Sequence, residues 1–421
     1  MKTGRVCLIG PGAPSSNPRL VKEGDALAAA GYQVRVVCGM THALLDGADD
    51  DLLARRSWSV TRVPLGTKIQ RVPRVARKRI AARLAWGGLL RTPATIAWAE
   101  SELSGRLAQA VAAEPADLYL GHYLPGLFAA WSAAQKHRAA YGFDAEDSHV
   151  DEFPDTSAFR GRREAREMFE RQILAGAAHL TTSSPLIADA YERRYGRRPL
   201  VILNVFPLAD APPGPCSTPY LNRNGQPTLY WFSQTIGPGR GLEPVIAAMG
   251  RMKLPVVLHL RGISAAGYRE RLTDHATTHG VADRVVWHPP AEPGEMVRLS
   301  AGYDLGLALE LTEPPNRAIC LTNKAFTYLL AGVPVVLSRT PAQEGLAVQL
   351  GGSALLIDLS NPDGIAAQFT AALEDRESQH ARRNGAWKLG RNRFNWDVEQ
   401  RQFLAGVEEA LATGKPVPST L

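Results

Sequence analysis

The chain has 421 residues, 45% apolar and 21% charged, with a formal net charge of +7. That length exceeds what one hydrophobic core usually supports, so two domains are expected, and the composition is that of an ordinary globular protein. No apolar run reaches the roughly 18 residues of a membrane span, and no low-complexity tract or solenoid-period repeat appears. The start, Met1-Lys2-Thr3-Gly4-Arg5, runs into a short strand at 6–9 that ends at Gly10-Pro11-Gly12, too soon for the hydrophobic region of a signal peptide. Cys7, Cys38, Cys216 and Cys320 lie far apart with no CxxC pair. Neither a disulfide framework nor a zinc site is expected, and a reducing cytosol is the simple expectation.

After the Gly-Pro turn, Ser16 or Asn17 caps a helix over 18–30, with Pro18 at its first position. Gly31-Tyr32 turns into a strand at 33–37, which makes a βαβ unit and implies a parallel sheet. Further strands are predicted at 58–63, 117–120, 139–143 and 179–182, and long helices at 97–113 and 160–175. Between Arg62 and Arg91 stand nine Lys or Arg and no acid, with Ile80, Leu84 and Trp86 interleaved. This is either a solvated helix face or a dock for something anionic, such as an anionic lipid surface. Nucleic acid is not expected, because the remaining chain is near neutral and carries no binding module.

A strand ends near 204, and the Pro-rich stretch 205–220 reads as a linker. A second βα series follows, with strands at 228–232, 256–261, 285–288, 305–309 and 333–337 and helices at 242–252, 267–280 and 323–331. The last helix is predicted at 397–413. The fold class is therefore α/β, with two Rossmann-like doubly wound domains, 1–204 and 205–396, facing a cleft at the carboxyl ends of both sheets.

Several segments carry a resemblance. They are Gly10-Pro11-Gly12-Ala13-Pro14-Ser15-Ser16-Asn17-Pro18-Arg19-Leu20-Val21-Lys22-Glu23, Asp117–His122, Leu203-Asn204, Gly237-Pro238-Gly239-Arg240-Gly241-Leu242-Glu243 and Asn323-Lys324 through Ala331-Gly332-Val333-Pro334. In order and spacing the chain resembles family 4 glycosyltransferases over residues 5–400. The resemblance implies the GT-B fold, with helix 397–421 packing back on the first domain. It also implies a retaining transfer from a nucleotide-sugar donor, UDP- or GDP-linked, with no bound metal and no other cofactor.

A departing nucleoside diphosphate concentrates negative charge, which a metal-free enzyme must meet with fixed cations and helix N-termini. Arg240 follows a Gly-Pro-Gly turn, and Lys324 lies in the first turn of a helix beside Asn323; both suit a diphosphate, although each also reads as a surface or snorkelling cation. Gly10, Gly12 and Gly239 leave bare backbone for donor or acceptor to approach. Glu310 ends an apolar strand and Glu313 follows in a Pro-rich loop. The resemblance assigns an acid of this loop to the sugar hydroxyls, and Glu310 is preferred. Its ribose-binding acid falls on Thr327, a departure, since a hydroxyl cannot give the paired acceptance of a carboxylate.

In the first half, His122 matches the family's histidine near the donor sugar, and a structural histidine is the competing reading. Asp144, Glu146 and Asp147 precede Ser148-His149 and, with Asn17 and Arg19, are expected on the acceptor side. Asp49-Asp50-Asp51 fits a DxD metal pattern but reads as a helix cap. A nicotinamide oxidoreductase is disfavoured, because the strand at 33–37 runs into Cys38-Gly39-Met40 without a ribose-binding acid. A non-catalytic sugar-nucleotide or polysaccharide binder on the same fold is the other rival. The acceptor is a small molecule, glycosylated on oxygen or sulfur, or a lipid-linked molecule met at the inner membrane face.

Overall fold

The computed structural model describes residues 4–40, 46–215 and 225–414. Cys216 and part of the expected linker lie outside the described residues. The chain divides into two compact units. The first comprises Met1–Ile202 with Pro314–Asn316 and the chain from Gln400 on; the second comprises Leu203–Glu313 and Arg317–Glu399. No helix among the described residues is long and apolar enough to cross a membrane.

The first unit holds β1 (Arg5–Gly10), β2 (Gln33–Met40), β3 (Ser59–Pro64), β4 (Leu118–His122), β5 (Ala140–Asp144), β6 (His179–Thr182) and β7 (Leu200–Val201). They form one sheet in the order β3-β2-β1-β4-β5-β6-β7, with every pair parallel. Strands such as β4 and β5 are buried along their whole length. That explains why they read as apolar runs and not as alternations. The order reverses between β1 and β4, so Gly10, His122 and Asp144 come together at neighbouring carboxyl ends, with His122 paired in register with Asp144.

Two glycines make that end of the sheet compact. A Cβ on Gly121 would collide with the backbone of Gly126, and one on Gly39 with the carbonyl of Pro11. The first allows helix Tyr123–His137 to start directly above β4. The second lets β2 lie against the Gly10-Pro11-Gly12 turn.

The helix expected over 97–113 is two helices, Pro93–Glu100 and Ser104–Val111. Ser101 adopts an extended conformation, and Ser104 Oγ donates to the Ala97 carbonyl at 2.5 Å, closing off the first helix. Asn17, not Ser16, caps helix Pro18–Ala29, its side chain accepting from the Leu20 amide at 3.1 Å. Asp49–Asp51 do not cap a helix, since they lie inside helix Asp46–Leu53. Asp49 accepts from the Ser15 amide at 2.9 Å, and Asp50 pairs with Arg62 at 2.6 Å.

The second unit holds β8 (Thr228–Ile236), β9 (Val257–Ser264), β10 (Val285–His288), β11 (Leu305–Ala308), β12 (Val335–Ser338) and β13 (Ala354–Ile357). Their order is β10-β9-β8-β11-β12-β13, again all parallel. Trp231, Leu258, Leu307, Val336 and Phe369 lie in one buried core. The reversal falls between β8 and β11, whose carboxyl ends carry the Gly237–Gly241 turn and Glu310.

Candidate functional site

In the first unit, a fully buried ion network sits at the strand-order reversal. Arg19 is 1% exposed. Its Nε and Nη2 donate to the two Asp144 carboxylate oxygens at 2.5 and 3.0 Å, and its Nη1 donates to the Ile202 carbonyl. One helical turn on, Glu23 lies 3.5 Å from the same guanidinium. His122 is clasped between acids, with Nε2 3.1 Å from Glu23 and Nδ1 3.3 Å from Asp144. Thr181 Oγ1 adds a 2.8 Å bond to Asp144.

Burial alone would lower the His122 pKa, but Glu23 and Asp144 reverse that and lift it to about 10. Burial would raise Asp144, yet Arg19 and His122 hold it well below the usual carboxylate range. Burial leaves Glu23 raised. Among the described residues, Glu23, His122 and Asp144 form a trio whose ligand atoms lie within 4.8 Å of one another. The trio fits a metal poorly, because the Arg19 guanidinium already occupies both Asp144 oxygens and stands 3.5 Å from Glu23, where a second cation would be repelled.

His122 and Arg19 were expected to meet ligand. Their side chains instead are spent inside this network, and Asp144 with them. Asn17 likewise serves as a cap, leaving its Nδ2 buried without a partner.

What the network holds up is backbone. Tyr123 and Glu146, which directly follow or closely follow His122 and Asp144, both have left-handed backbones, φ 58° and 56°. Such strain in non-glycine residues persists where surroundings enforce it, and it clusters at functional sites. The Glu146 carbonyl accepts from the Ser183 amide, Ser183 Oγ and Thr182 Oγ1 at 3.1, 2.7 and 3.1 Å. The charge of Glu146, and then burial, raise the Tyr123 pKa far above normal. Burial, then Asp144, raises the pKa of Glu146. Glu146 and Asp147 are half-buried, and Gly12 and Tyr123 line a cavity of about 340 Å³. Gly10 is a packing glycine, since a Cβ there would press on Leu20 at 2.9 Å.

In the second unit the turn after β8 uses two left-handed glycines, Gly239 at φ 69° and Gly241 at φ 72°. They set Arg240 half-buried at the start of helix Leu242–Met249. Arg317, which sequence reading missed, donates to the Gly239 carbonyl and so braces this turn. Lys324 is 6% exposed, in the first turn of helix Asn323–Leu330. Its Nζ lies 3.7 Å from Glu310 and 5.6 Å from the centre of the Trp231 ring. Thr322 leaves that helix without a side-chain cap, and its own hydroxyl is buried without a hydrogen bond.

Burial lowers the Lys324 pKa; Glu310 opposes this, while Arg240 and Arg317 add to it. Burial and then Arg317 lower that of Arg240. Three cations thus crowd around one acid at a helix start without a side-chain cap, an arrangement that a doubly charged diphosphate would relieve. The Glu310 amide and carbonyl are both held by Ser338 Oγ, at 2.8 and 2.6 Å, which fixes the acid at the end of β11. Glu313 is exposed in the loop and Asn323 is half-buried. Thr327 is a correction: it is fully buried, and its hydroxyl donates to the Asn323 carbonyl at 2.9 Å, so it presents nothing to a ribose.

Residues 17–204, a little under half of the chain, match the model of the glycosyl transferase 4-like domain. No curated protein matches by sequence. Solved structures match along nearly the whole chain. Sucrose-phosphate synthase from Thermosynechococcus elongatus is 17% identical, with TM-score 0.72 over 97% of this chain and 99% of that one. Anabaena HepE in complex with UDP-glucose is 16% identical, with TM-score 0.70 over 96% and 99%. A UDP-forming α,α-trehalose-phosphate synthase from Burkholderia vietnamiensis is 16% identical, with TM-score 0.64 over 96% and 99%. Residues 17–204 thus match a glycosyl transferase 4-like domain, and the chain as a whole shares the two-domain GT-B fold of these structures.

Proposed function

We propose that the protein transfers a sugar, with retention and without a metal, from a nucleoside-diphosphate sugar to a hydroxyl-bearing acceptor. The observation that carries this reading is the cation cluster of Arg240, Arg317 and Lys324 around Glu310 at the uncapped helix start. Fixed positive charge at a water-poor helix N-terminus stabilises a departing diphosphate without help from a divalent ion. Glu310 accepts hydrogen bonds from the donor sugar. UDP is the first nucleotide to try, because HepE was solved with UDP-glucose and the trehalose-phosphate synthase is UDP-forming; GDP is the second.

Incubation with UDP-glucose in the presence of EDTA is expected to release UDP. Proton NMR of the free glucose formed by slow hydrolysis is expected to show the α anomer first. No release, or the β anomer first, contradicts the proposal.

The acceptor is a small molecule or a lipid-linked one. Helix Lys68–Trp86 favours a membrane-surface encounter. Ile69, Val72 and Ile80 are 85%, 66% and 58% exposed on it. Arg62, Arg71 and Arg91 pair with acids elsewhere in the unit. Lys68, Arg79 and Arg83 make no ion pair among the described residues. An apolar stripe beside free cations suits anionic headgroups. Co-sedimentation with phosphatidylglycerol vesicles at low salt is expected for the wild type and lost in Ile69→Asp/Val72→Asp. Absence of binding at low salt removes the membrane version.

A further inference from the structure

Helix Lys68–Trp86 has a second charged face, turned away from its apolar stripe. Arg74, Arg77 and Lys78 recur at helical spacing with Ala81 and Ala85, which are buried, so all five lie on the packed side. Ile69, Val72, Arg79 and Arg83 fall on the opposite side and are exposed. The packed side borders a cavity of about 330 Å³, which Trp98 of helix Pro93–Glu100 and Arg106 of helix Ser104–Val111 also line. None of its walls comes from the strand ends where Gly10, His122 and Asp144 meet.

The lining gathers four cations, Arg74, Arg77, Lys78 and Arg106, against one acid, Glu102. That acid is already engaged. Arg71, which is not part of the lining, holds both its oxygens at 2.7 and 3.3 Å, and Arg74 Nε stands 4.0 Å away. Arg77, Lys78 and Arg106 make no ion pair among the described residues. The guanidiniums are nevertheless held in place. Arg106 Nη1 donates to the Pro64 carbonyl at 2.8 Å, and Arg74 Nη2 donates to that of Leu65. Arg77 lies over the Trp98 ring, 5.0 Å from its centre. Each anchor uses part of a five-donor fork and leaves the other N–H groups for a ligand.

Like charges gathered in a concave site repel one another until an anion joins them, and such a site concentrates anions. Fixed guanidinium forks beside an ammonium match the several oxygens of a phosphate, which also brings the larger charge. The volume lies at the lower end of ordinary ligand pockets, about 300–1,000 Å³.

We infer that this cavity is an accessory site for the phosphate group of a small soluble molecule. The inference goes beyond the glycosyl-transfer reading and does not depend on it, since the lining includes neither the donor cations nor the strand ends of the first sheet. A lipid phosphate is the same chemistry from another source, but a membrane resting on Ile69, Val72 and Ile80 meets the opposite side of the helix.

The test is titration calorimetry of the full-length protein with glucose 6-phosphate at about 150 mM salt, where exposed charges are screened beyond about 8 Å. Saturable binding is expected, displaced by inorganic phosphate and not by glucose. Arg77→Gln/Lys78→Gln is expected to weaken it at least about tenfold, two charge-assisted contacts being lost. Arg79→Gln/Arg83→Gln removes the same charge from the outer side of the same helix and is expected to leave binding within about twofold of the wild type. Both variants are expected to melt near the wild type, because none of the four residues is ion-paired. The rise in melting temperature with glucose 6-phosphate is expected to vanish only in the first. Phosphatidylglycerol-vesicle binding distinguishes the sources and is expected to suffer more in the second. No saturable binding of either phosphate probe, or equal weakening in the two variants, overturns the inference. A larger loss of vesicle binding in Arg77→Gln/Lys78→Gln than in Arg79→Gln/Arg83→Gln overturns it as well.

Discussion

Lys324→Ala is expected to lower turnover of a nucleoside-diphosphate sugar by roughly 100- to 1,000-fold, the usual effect of deleting one fixed donor that meets transition-state charge. The variant also removes the partner of a nearly buried acid, since Glu310 lies 3.7 Å away and is 4% exposed. Breaking a buried pair from one side costs about 3–5 kcal/mol, a large share of a domain's stability of about 5–15 kcal/mol. A simple loss of activity would therefore mix catalysis with unfolding. Lys324→Ala/Glu310→Gln separates them, because the neutral amide no longer needs a cation. The double variant is expected to melt near the wild type yet to remain as inactive as the single one. Recovery of turnover in the double variant would show that Lys324 serves packing alone.

The second large effect concerns stability and pH. The folded His122 pKa is about 10, against 6.5 for the free side chain. A raised folded-state pKa means the stabilisation is fully present below about pH 6.5 and is lost progressively as pH rises towards 10. Asp144 works in the opposite sense, since its carboxylate is held low by Arg19 and His122 against burial. Its contribution is present above the ordinary carboxylate range and is lost progressively as pH falls below that range towards the folded value. Calorimetric melting of the wild type is expected to weaken between pH 7 and 10. His122→Gln is expected to melt lower at pH 6, by the equivalent of about 3–5 kcal/mol, and to show a flatter profile above pH 7. An unchanged slope in the variant would mean that other groups carry the alkaline loss.

Much of the fold was legible because its strands are buried on both faces and punctuated by glycine turns. β4 and β5, fully buried apolar strands, fall at 118–122 and 140–144, within a residue or two of the expected 117–120 and 139–143. The helix pattern at 97–113 misled, since its break depends on one serine bonding back to Ala97, a contact that periodicity does not encode. Arg240, Glu310 and Lys324 could be found because each stands at the end of a strand or the start of a helix. Arg317 stands in the short helix Pro315–Ile319, which carries no amphipathic period to read, and its tie to Gly239 spans 78 positions.

The buried network was hidden for a similar reason. Arg19 and Glu23 show a local i,i+4 signal, but Asp144 lies 125 positions from Arg19. Nothing in the sequence told that His122 would be enclosed rather than presented. The departure at Thr327 was visible from the motif. The structure adds that its hydroxyl is consumed by the helix backbone, so any ribose contact must come from another group.

A donor site built from side-chain cations holds its nucleotide without a divalent ion. Titration calorimetry of UDP and GDP, with and without EDTA, tests it most directly, on the wild type and on Arg240→Ala/Arg317→Ala. One nucleotide is expected to bind in the micromolar range, indifferent to EDTA, and to weaken at least about 100-fold in the double variant, two charge-assisted contacts being lost. Binding that requires a divalent ion, or that survives removal of both arginines, would contradict the account.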